Sequence, residues 1–347
     1  MQVTDFDFDL PDELVAQHAA PRGKSRLLTL DRGTGEVGHG HMEHLPRHLR
    51  PGDLLVVNNT RVFPARLIGQ RVPSGGAVEC LLLERDGEET WKALVHPGQK
   101  LKPGALMRFS GDDATLMGEI LERRFFGRRT IRLWAESGES VESAIDKIGH
   151  IPLPPYIKRP DRAEDRERYQ TIYAHERGSV AAPTAGLHFS SDLIRHIEQR
   201  GVRFVELTLH VGYGTFKPVR TEVVEEHVVD PERYRITAEA AATINRARDE
   251  HRRVIAVGTT TTRALESAAR EGDGRIIEGE REATLFIHPG FRFQAIDGLL
   301  TNFHLPRSSL LMLVAAFAGR ERVLAAYREA VERRYRFYSY GDAMLIL

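Results

Sequence analysis

The chain reads as an α/β protein with a smaller β-rich module set into it, and three observations predict this. Apolar runs at 54–57 and 254–257 end in polar or glycine-rich turns, the second opening straight into a helix-forming stretch, as strands of an open α/β sheet do. From 63 to 149 the texture changes to short β-rich runs spaced by Gly and Asp turns, the pattern of a small barrel or sandwich. Pro152, Pro154 and Pro155 then break regular structure and mark the return to the first body. The expected division is a main α/β domain at 1–62 and 150–347 with an insertion at 63–149. A length of 347 residues suits two domains, because single cores stop growing near roughly 250–300 residues.

Composition narrows the function classes. Lys plus Arg and Asp plus Glu both number 49, so a nucleic-acid partner has to be met by local basic patches and not by net charge. Cys80 is the only cysteine, which excludes an internal disulfide and a thiolate metal cluster and suits a cytoplasmic address. The acidic start, Met1-Gln-Val-Thr-Asp-Phe-Asp, does not read as a secretory signal, and the longest apolar run, 310–318, is too short to span a bilayer. The expectation is a soluble protein that does not engage a membrane.

In chain order, a short amphipathic segment follows Pro11, residues 27–30 read as a strand, and Asp31-Arg-Gly-Thr-Gly-Glu as a hairpin turn. His39, His41, His44 and His48 lack an H-E-x-x-H pattern and read as solvated surface, so no metal site is expected. The buried strand at 54–57 delivers Asn58 and Arg61 to a C-terminal strand end, where open sheets bind ligands. In the module, residues 123–129 (Arg-Arg-Phe-Phe-Gly-Arg-Arg) interleave basic and aromatic side chains as single-stranded nucleic acid would suit, and a hairpin tip with Phe125 and Phe126 turned to the core explains them equally well.

The chain is organised around residues 178–189, Gly-Ser-Val-Ala-Ala-Pro-Thr-Ala-Gly-Leu-His-Phe, which carry no charged Asp, Glu, Lys or Arg and are mostly small. Small residues let backbone approach something closely, so the stretch reads as a ligand wall with Ser179, Thr184 and His188 as its polar tips; a buried alanine-packed crossover is the alternative. A helix is expected directly behind it, from Asp192, capped among Ser190, Ser191 and Asp192. The strand at 202–211 runs into Gly212-Tyr-Gly-Thr-Phe-Lys-Pro, where Pro218 excludes a dinucleotide fingerprint. His227, Asp230 and Glu232 share a short polar segment, ahead of a helix at 238–250.

Gly258 and the four threonines after it open a helix, which presents backbone N–H groups and hydroxyls as an anion site, with simple N-capping the alternative. A further strand is expected at 283–287. Asn302, Phe303 and His304 sit between an apolar pair and Pro306. Ser308 caps a helix that is hydrophobic all round and so central and buried, an amphipathic helix follows, and residues 335–347 bring aromatics, Asp342 and a last apolar strand.

Taken together, residues 55–67, 149–157, 181–189, 210–219, 258–267, 301–306 and 335–346 resemble the S-adenosylmethionine:tRNA ribosyltransferase-isomerase family of queuosine biosynthesis, almost end to end and in order. The resemblance implies an α/β main domain with a mixed sheet and an inserted small β-barrel. It implies transfer and isomerisation of the ribosyl group of S-adenosylmethionine onto the 7-aminomethyl-7-deazaguanine wobble base of tRNA, giving epoxyqueuosine and releasing adenine and methionine. S-adenosylmethionine is then a substrate, with no separate cofactor, and a monomer is expected.

A sulfonium acidifies the neighbouring C5′ hydrogen and adenine leaves well only when a ring nitrogen is protonated, so one base and one acid are needed. His188, His210, His227, His304 and Asp342 are the candidates, each within or close beside a matched motif. Arg263 with Thr259, Thr260, Thr261 and Thr262 is expected at the methionine carboxylate, Phe216 or Phe303 against a base, and Asn58, Arg61, Thr184 and Asn302 elsewhere around the substrates. Two positions depart from the family pattern: Asp230 stands where a His is usual, and Thr261-Thr262 where Ser-Val is usual. An ionised Asp230 accepts a proton but does not donate one.

Two rivals make different predictions. A non-catalytic RNA-binding protein, resting on residues 123–129, Arg159 and residues 333–336, releases no adenine. A Ser/His/Asp hydrolase requires a nucleophile elbow, and no G-x-S-x-G occurs.

Overall fold

The computed structural model describes residues 1–111 and 113–347, and the side chain of Phe126 lies outside what it describes. The main sheet has nine strands in the order Gly279–Ala283, Glu232–Ile236, Arg203–Leu209, Leu54–Asn58, Val254–Val257, Gly298–Asn302, Ala343–Ile346, Arg26–Leu30 and Val37–His41. It is mixed: the four strands from Arg203–Leu209 to Gly298–Asn302 run parallel, and Ala343–Ile346 is antiparallel to Gly298–Asn302 but parallel to Arg26–Leu30.

The all-apolar strands earn their central place by being covered on both faces. Leu54 and Val56 enter one core and Leu55 and Val57 the other, as the two-residue period of a strand requires. Helices Ser191–Gln199, Ala238–Asp249 and Ser309–Ala318 begin where the hydroxyls of Ser190, Thr237 and Ser308 accept the backbone N–H of Leu193, Ala240 and Leu311. Ser309–Ala318 is buried along almost its whole length, as its sequence requires.

The expected strand at 283–287 is displaced. Pairing with Glu232–Ile236 runs through Gly279–Ala283, a charged and exposed edge strand, and stops at Ala283. Charge on an edge strand blunts further pairing. The apolar residues Leu285, Phe286 and Ile287 beyond it face the cleft described below.

Of the two architectures left open for the insertion, a closed six-stranded antiparallel barrel forms, from Arg66–Val72 to Arg128–Ala135, with helix Val141–Ile148 after it. Its core includes Leu67, Cys80, Leu82, Met107, Phe109, Leu116, Ile120 and Leu133. Gly69 permits the closure, since a Cβ there would lie 2.1 Å from the carbonyl oxygen of Arg108. The incoming and outgoing chains of the barrel run side by side: Arg66 and His150 exchange backbone hydrogen bonds of 3.2 and 2.8 Å. No helix of the described residues is long and apolar enough to cross a membrane.

Candidate functional site

A cleft of about 1430 Å³ lies at the seam between the barrel and the C-terminal ends of the parallel strands. The barrel contributes Trp91, Lys92, Leu94, Arg124 and Arg128, and the main domain contributes His210 to Lys217, His227 to Arg233, Thr260, Arg263 and Leu313. Among the described residues, three ion pairs cross the seam: Arg128 to Asp230 at 3.0 Å, Arg233 to Glu84 at 3.0 Å and Arg177 to Asp146 at 2.7 Å.

His210 follows directly on strand Arg203–Leu209, and its orientation is set by neighbours. Nδ1 lies 2.9 Å from the Thr60 hydroxyl, which lies 2.7 Å from Ser179 Oγ, and Ser179 Oγ accepts the Val211 N–H at 2.7 Å. Thr60 and Ser179 meet because strands Thr60–Val62 and Glu176–Ser179 pair in parallel. Gly178 packs on the imidazole itself, since a Cβ there would stand 2.6 Å from Cε1. The small residues of the organising stretch therefore do approach something closely, and at this end it is a histidine. Nε2 has no hydrogen-bond partner among the described residues, and burial lowers the His210 pKa below the usual histidine value.

Other expected residues share the cleft. His227 is half-buried with its ring 5.0 Å from Phe286, and burial lowers its pKa, with Asp230 pulling the other way. Phe216 stands edge-on to Tyr156 and Tyr213. Thr260 lines the cleft at the start of helix Thr259–Glu271, whose N-cap, Gly258 at φ 97°, offers no side-chain bond. Thr261 and Thr262 turn their hydroxyls back to the carbonyls of Val257 and Gly258, leaving Thr259 and Thr260, both of which are buried.

The carboxylate that Arg263 holds is the chain's own Glu232, at 2.5 Å; Leu285, Ala283 and Asp230 carbonyls take further donors. Glu232 also accepts the Gly212 N–H at 3.0 Å, and burial pushes its carboxyl above the ordinary range against the pull of Arg263. Glu232 is the cleft residue that the sequence reading left out of the candidate site. It stood in the same short segment as His227 and Asp230, but its burial under Arg263 follows from edge pairing of Glu232–Ile236, which no local pattern announces.

The remaining candidates are not brought to the cleft. His188 is buried between Ser25 Oγ at 2.9 Å and Asn302 Nδ2 at 3.2 Å. Because Asn302 Nδ2 also donates to the Tyr338 carbonyl, its amide orientation is fixed, so His188 Nε2 accepts and Nδ1–H donates to Ser25. Burial pushes the His188 pKa down to about 4 and that of His304, bonded to Thr301, down to about 3. Asp342 accepts the backbone N–H of Arg26 and of Arg336, fastening the last strand. Phe303 is enclosed by Tyr327, Tyr335 and Phe337, and Asn58 ties its strand to its neighbour through the Leu209 N–H and carbonyl. Arg61 is exposed and Thr184 opens the short 3₁₀ turn Thr184–His188; neither lines the cleft.

An open mixed α/β sheet with an inserted closed barrel, and a cleft at the strand ends beneath it, defines a two-module α/β protein with a ligand-sized space at the seam. The family described as queuosine biosynthesis protein matches residues 3–346. Curated relatives named S-adenosylmethionine:tRNA ribosyltransferase-isomerase are 53% identical in Carboxydothermus hydrogenoformans and 51% in Desulfitobacterium hafniense, over 100% of both chains. A solved S-adenosylmethionine tRNA ribosyltransferase from Thermotoga maritima is 39% identical, with a TM-score of 0.56 over 99% of this chain and 100% of that one. The chain belongs to the queuosine biosynthesis protein family.

Proposed function

We propose that this chain is an S-adenosylmethionine:tRNA ribosyltransferase-isomerase. It moves the ribosyl group of S-adenosylmethionine onto the 7-aminomethyl-7-deazaguanine wobble base of tRNA, forms epoxyqueuosine and releases adenine and methionine. Family membership and the relatives' names support the reaction class. The observation that carries the assignment of the site is His210: a neutral imidazole anchored at Nδ1, with Nε2 unpartnered, beside a cleft large enough for a nucleoside and a base.

His210 Nε2 takes the proton next to the sulfonium, and the lowered pKa that keeps it neutral also makes its protonated form ready to give a proton up to departing adenine. His227, which lines the same cleft, is the second proton carrier. Thr260 and the uncapped N–H groups opening helix Thr259–Glu271 hold the methionine carboxylate, while Arg263 sets Glu232 in place. Phe216 stacks on a base, and His188, Asn302, Phe303, His304, Asp342 and Asn58 hold the frame. S-adenosylmethionine is consumed as a substrate, with no separate cofactor. The working unit is a monomer, and the reaction belongs to the cytoplasm.

The test mixes protein, S-adenosylmethionine and tRNA bearing the aminomethyl base. Free adenine is expected, with methyl label leaving in methionine. Methyl label found in the tRNA, or no adenine, overturns the reading.

A further inference from the structure

The two most exposed large apolar side chains of the described residues are Phe125, 86% exposed, and Val228, 83% exposed. Val228 lines the cleft, and Phe125 stands at its rim. Phe125 opens the tip Phe125–Gly127 of the barrel hairpin, between the cleft-lining Arg124 and Arg128, and Val228 is itself a lining residue. The Arg128 to Asp230 pair, 3.0 Å, joins the hairpin to the Val228 loop. Phe125 is therefore neither turned to the core nor remote from the site.

Nothing in the fold asks for an aromatic at this position. The turn is made by Gly127, at φ 79°, and the hairpin is held by backbone pairing and by Arg129, which is buried and donates to the carbonyls of Arg128 and Gly98. Charge indicates what the surface meets. Nine Arg and Lys side chains line the cleft against five carboxylates, in a chain with no net charge. Those ion-paired at the rim are largely half-exposed, pairs of small net worth that phosphates can replace. An exposed ring flanked by Arg123 and Arg124 fits the face of an unpaired base with its backbone phosphates alongside.

We infer that this hairpin tip is the RNA-docking element of the site: Phe125 stacks on an unpaired loop base next to the reacting base, Arg123 and Arg124 hold the adjoining phosphates, and Val228 adds an apolar contact from the loop that Arg128 joins to the hairpin. The inference rests on the proposed tRNA reaction and adds to it the surface by which a single-stranded loop is held.

The experiment measures binding of an anticodon stem-loop RNA by anisotropy, and KM for tRNA and for S-adenosylmethionine in adenine release, for wild type, Phe125→Ala, Phe125→Trp and the control Ile68→Ala. Ile68 is also an exposed apolar side chain but does not line the cleft. Loss of one base stack predicts RNA binding on the order of 5- to 100-fold weaker in Phe125→Ala, with KM for tRNA rising alone. Phe125→Trp restores binding and Ile68→Ala matches wild type. Wild-type affinity in Phe125→Ala overturns the inference alone, as does a loss of self-association on sedimentation in place of a loss of RNA binding, which would make the tip a contact between copies. Wild-type protein that releases no adenine from the same tRNA overturns the parent reading as well.

Discussion

One edge of the main sheet carries two polar groups of similar composition, and they do different things. At the ends of Arg203–Leu209, Leu54–Asn58 and Val254–Val257, the barrel stands off and leaves His210, Glu232 and Thr260 along a cleft. Beyond Gly298–Asn302 and beside Ala343–Ile346, segments 184–188 and 335–342 close over His188, Asn302, His304 and Asp342, whose polar atoms bond mainly to each other and to backbone. Both groups desolvate histidine and lower its pKa. Desolvation is thus common to both groups, and what sets His210 apart is its place on the cleft with an Nε2 that has no hydrogen-bond partner among the described residues.

The sharpest test of that difference is His210→Ala. Turnover is expected to fall on the order of a hundredfold to ten-thousandfold with S-adenosylmethionine affinity and thermal midpoint nearly unchanged. Single-turnover adenine release beside calorimetry decides it, and near-normal release would erase the distinction between the two groups. Gly178→Ala should follow at roughly ten- to hundredfold, because the new Cβ displaces the imidazole without removing it. Restored activity on addition of free imidazole is expected only for His210→Ala.

On the sealed side the sign of the effect reverses. His188→Ala leaves the buried Ser25 hydroxyl without its partner and takes from Asn302 Nδ2 one of its two acceptors, and should cost about 1–3 kcal/mol of stability while the folded fraction keeps its turnover. If turnover is lost with stability intact, the sealed group takes part in the chemistry.

The pH dependence is weaker but has a definite direction. His188 and His304 have folded pKa values of about 4 and about 3, below the ordinary histidine value, so the unfolded chain binds protons more readily as acid is added. Their contribution is complete above about pH 6.5, the unfolded value, and drains away toward pH 4. Thermal midpoints across that window, compared with those of His304→Gln, measure the slope, and an identical slope in the variant would count against this origin. The smallest effect belongs to Asp230→Asn, which loosens Arg128 and Lys217: under about 1 kcal/mol in stability, with a salt dependence of RNA binding that changes more than kcat does.

Much of the frame was legible. The apolar strands at 54–57 and 254–257, the capped helix behind the organising stretch, the buried helix after Ser308 and the inserted β module all follow from local periodicity and turn chemistry. What stayed hidden depends on pairing between distant segments. Gly279–Ala283 carries charge because it is an edge, so its sequence does not look like a strand, while Leu285 to Ile287 look like one and instead face the cleft. His188 and His210 sit in equally small-residue surroundings, and only the placement of the barrel opens one and the packing of segment 335–342 seals the other. Arg263 read as a ligand's partner because Glu232 lies far from it in the chain.

The paired backbone of Arg66 and His150 has a consequence for how the molecule assembles. Strand Leu54–Asn58 must find partners lying beyond residue 200, across the whole insertion. A barrel that closes first, from antiparallel neighbours close in sequence, leaves its two ends hydrogen-bonded to one another, and the main sheet then meets a short staple instead of a long loop. Because closure entropy grows only with the logarithm of loop length, at about 0.6 kcal/mol per doubling, such an insertion burdens the parent sheet little. The same doorway makes the barrel a cassette: away from the cleft and the hairpin tip, its outer surface is open to change by sequence drift while the strand order around it stays as it is.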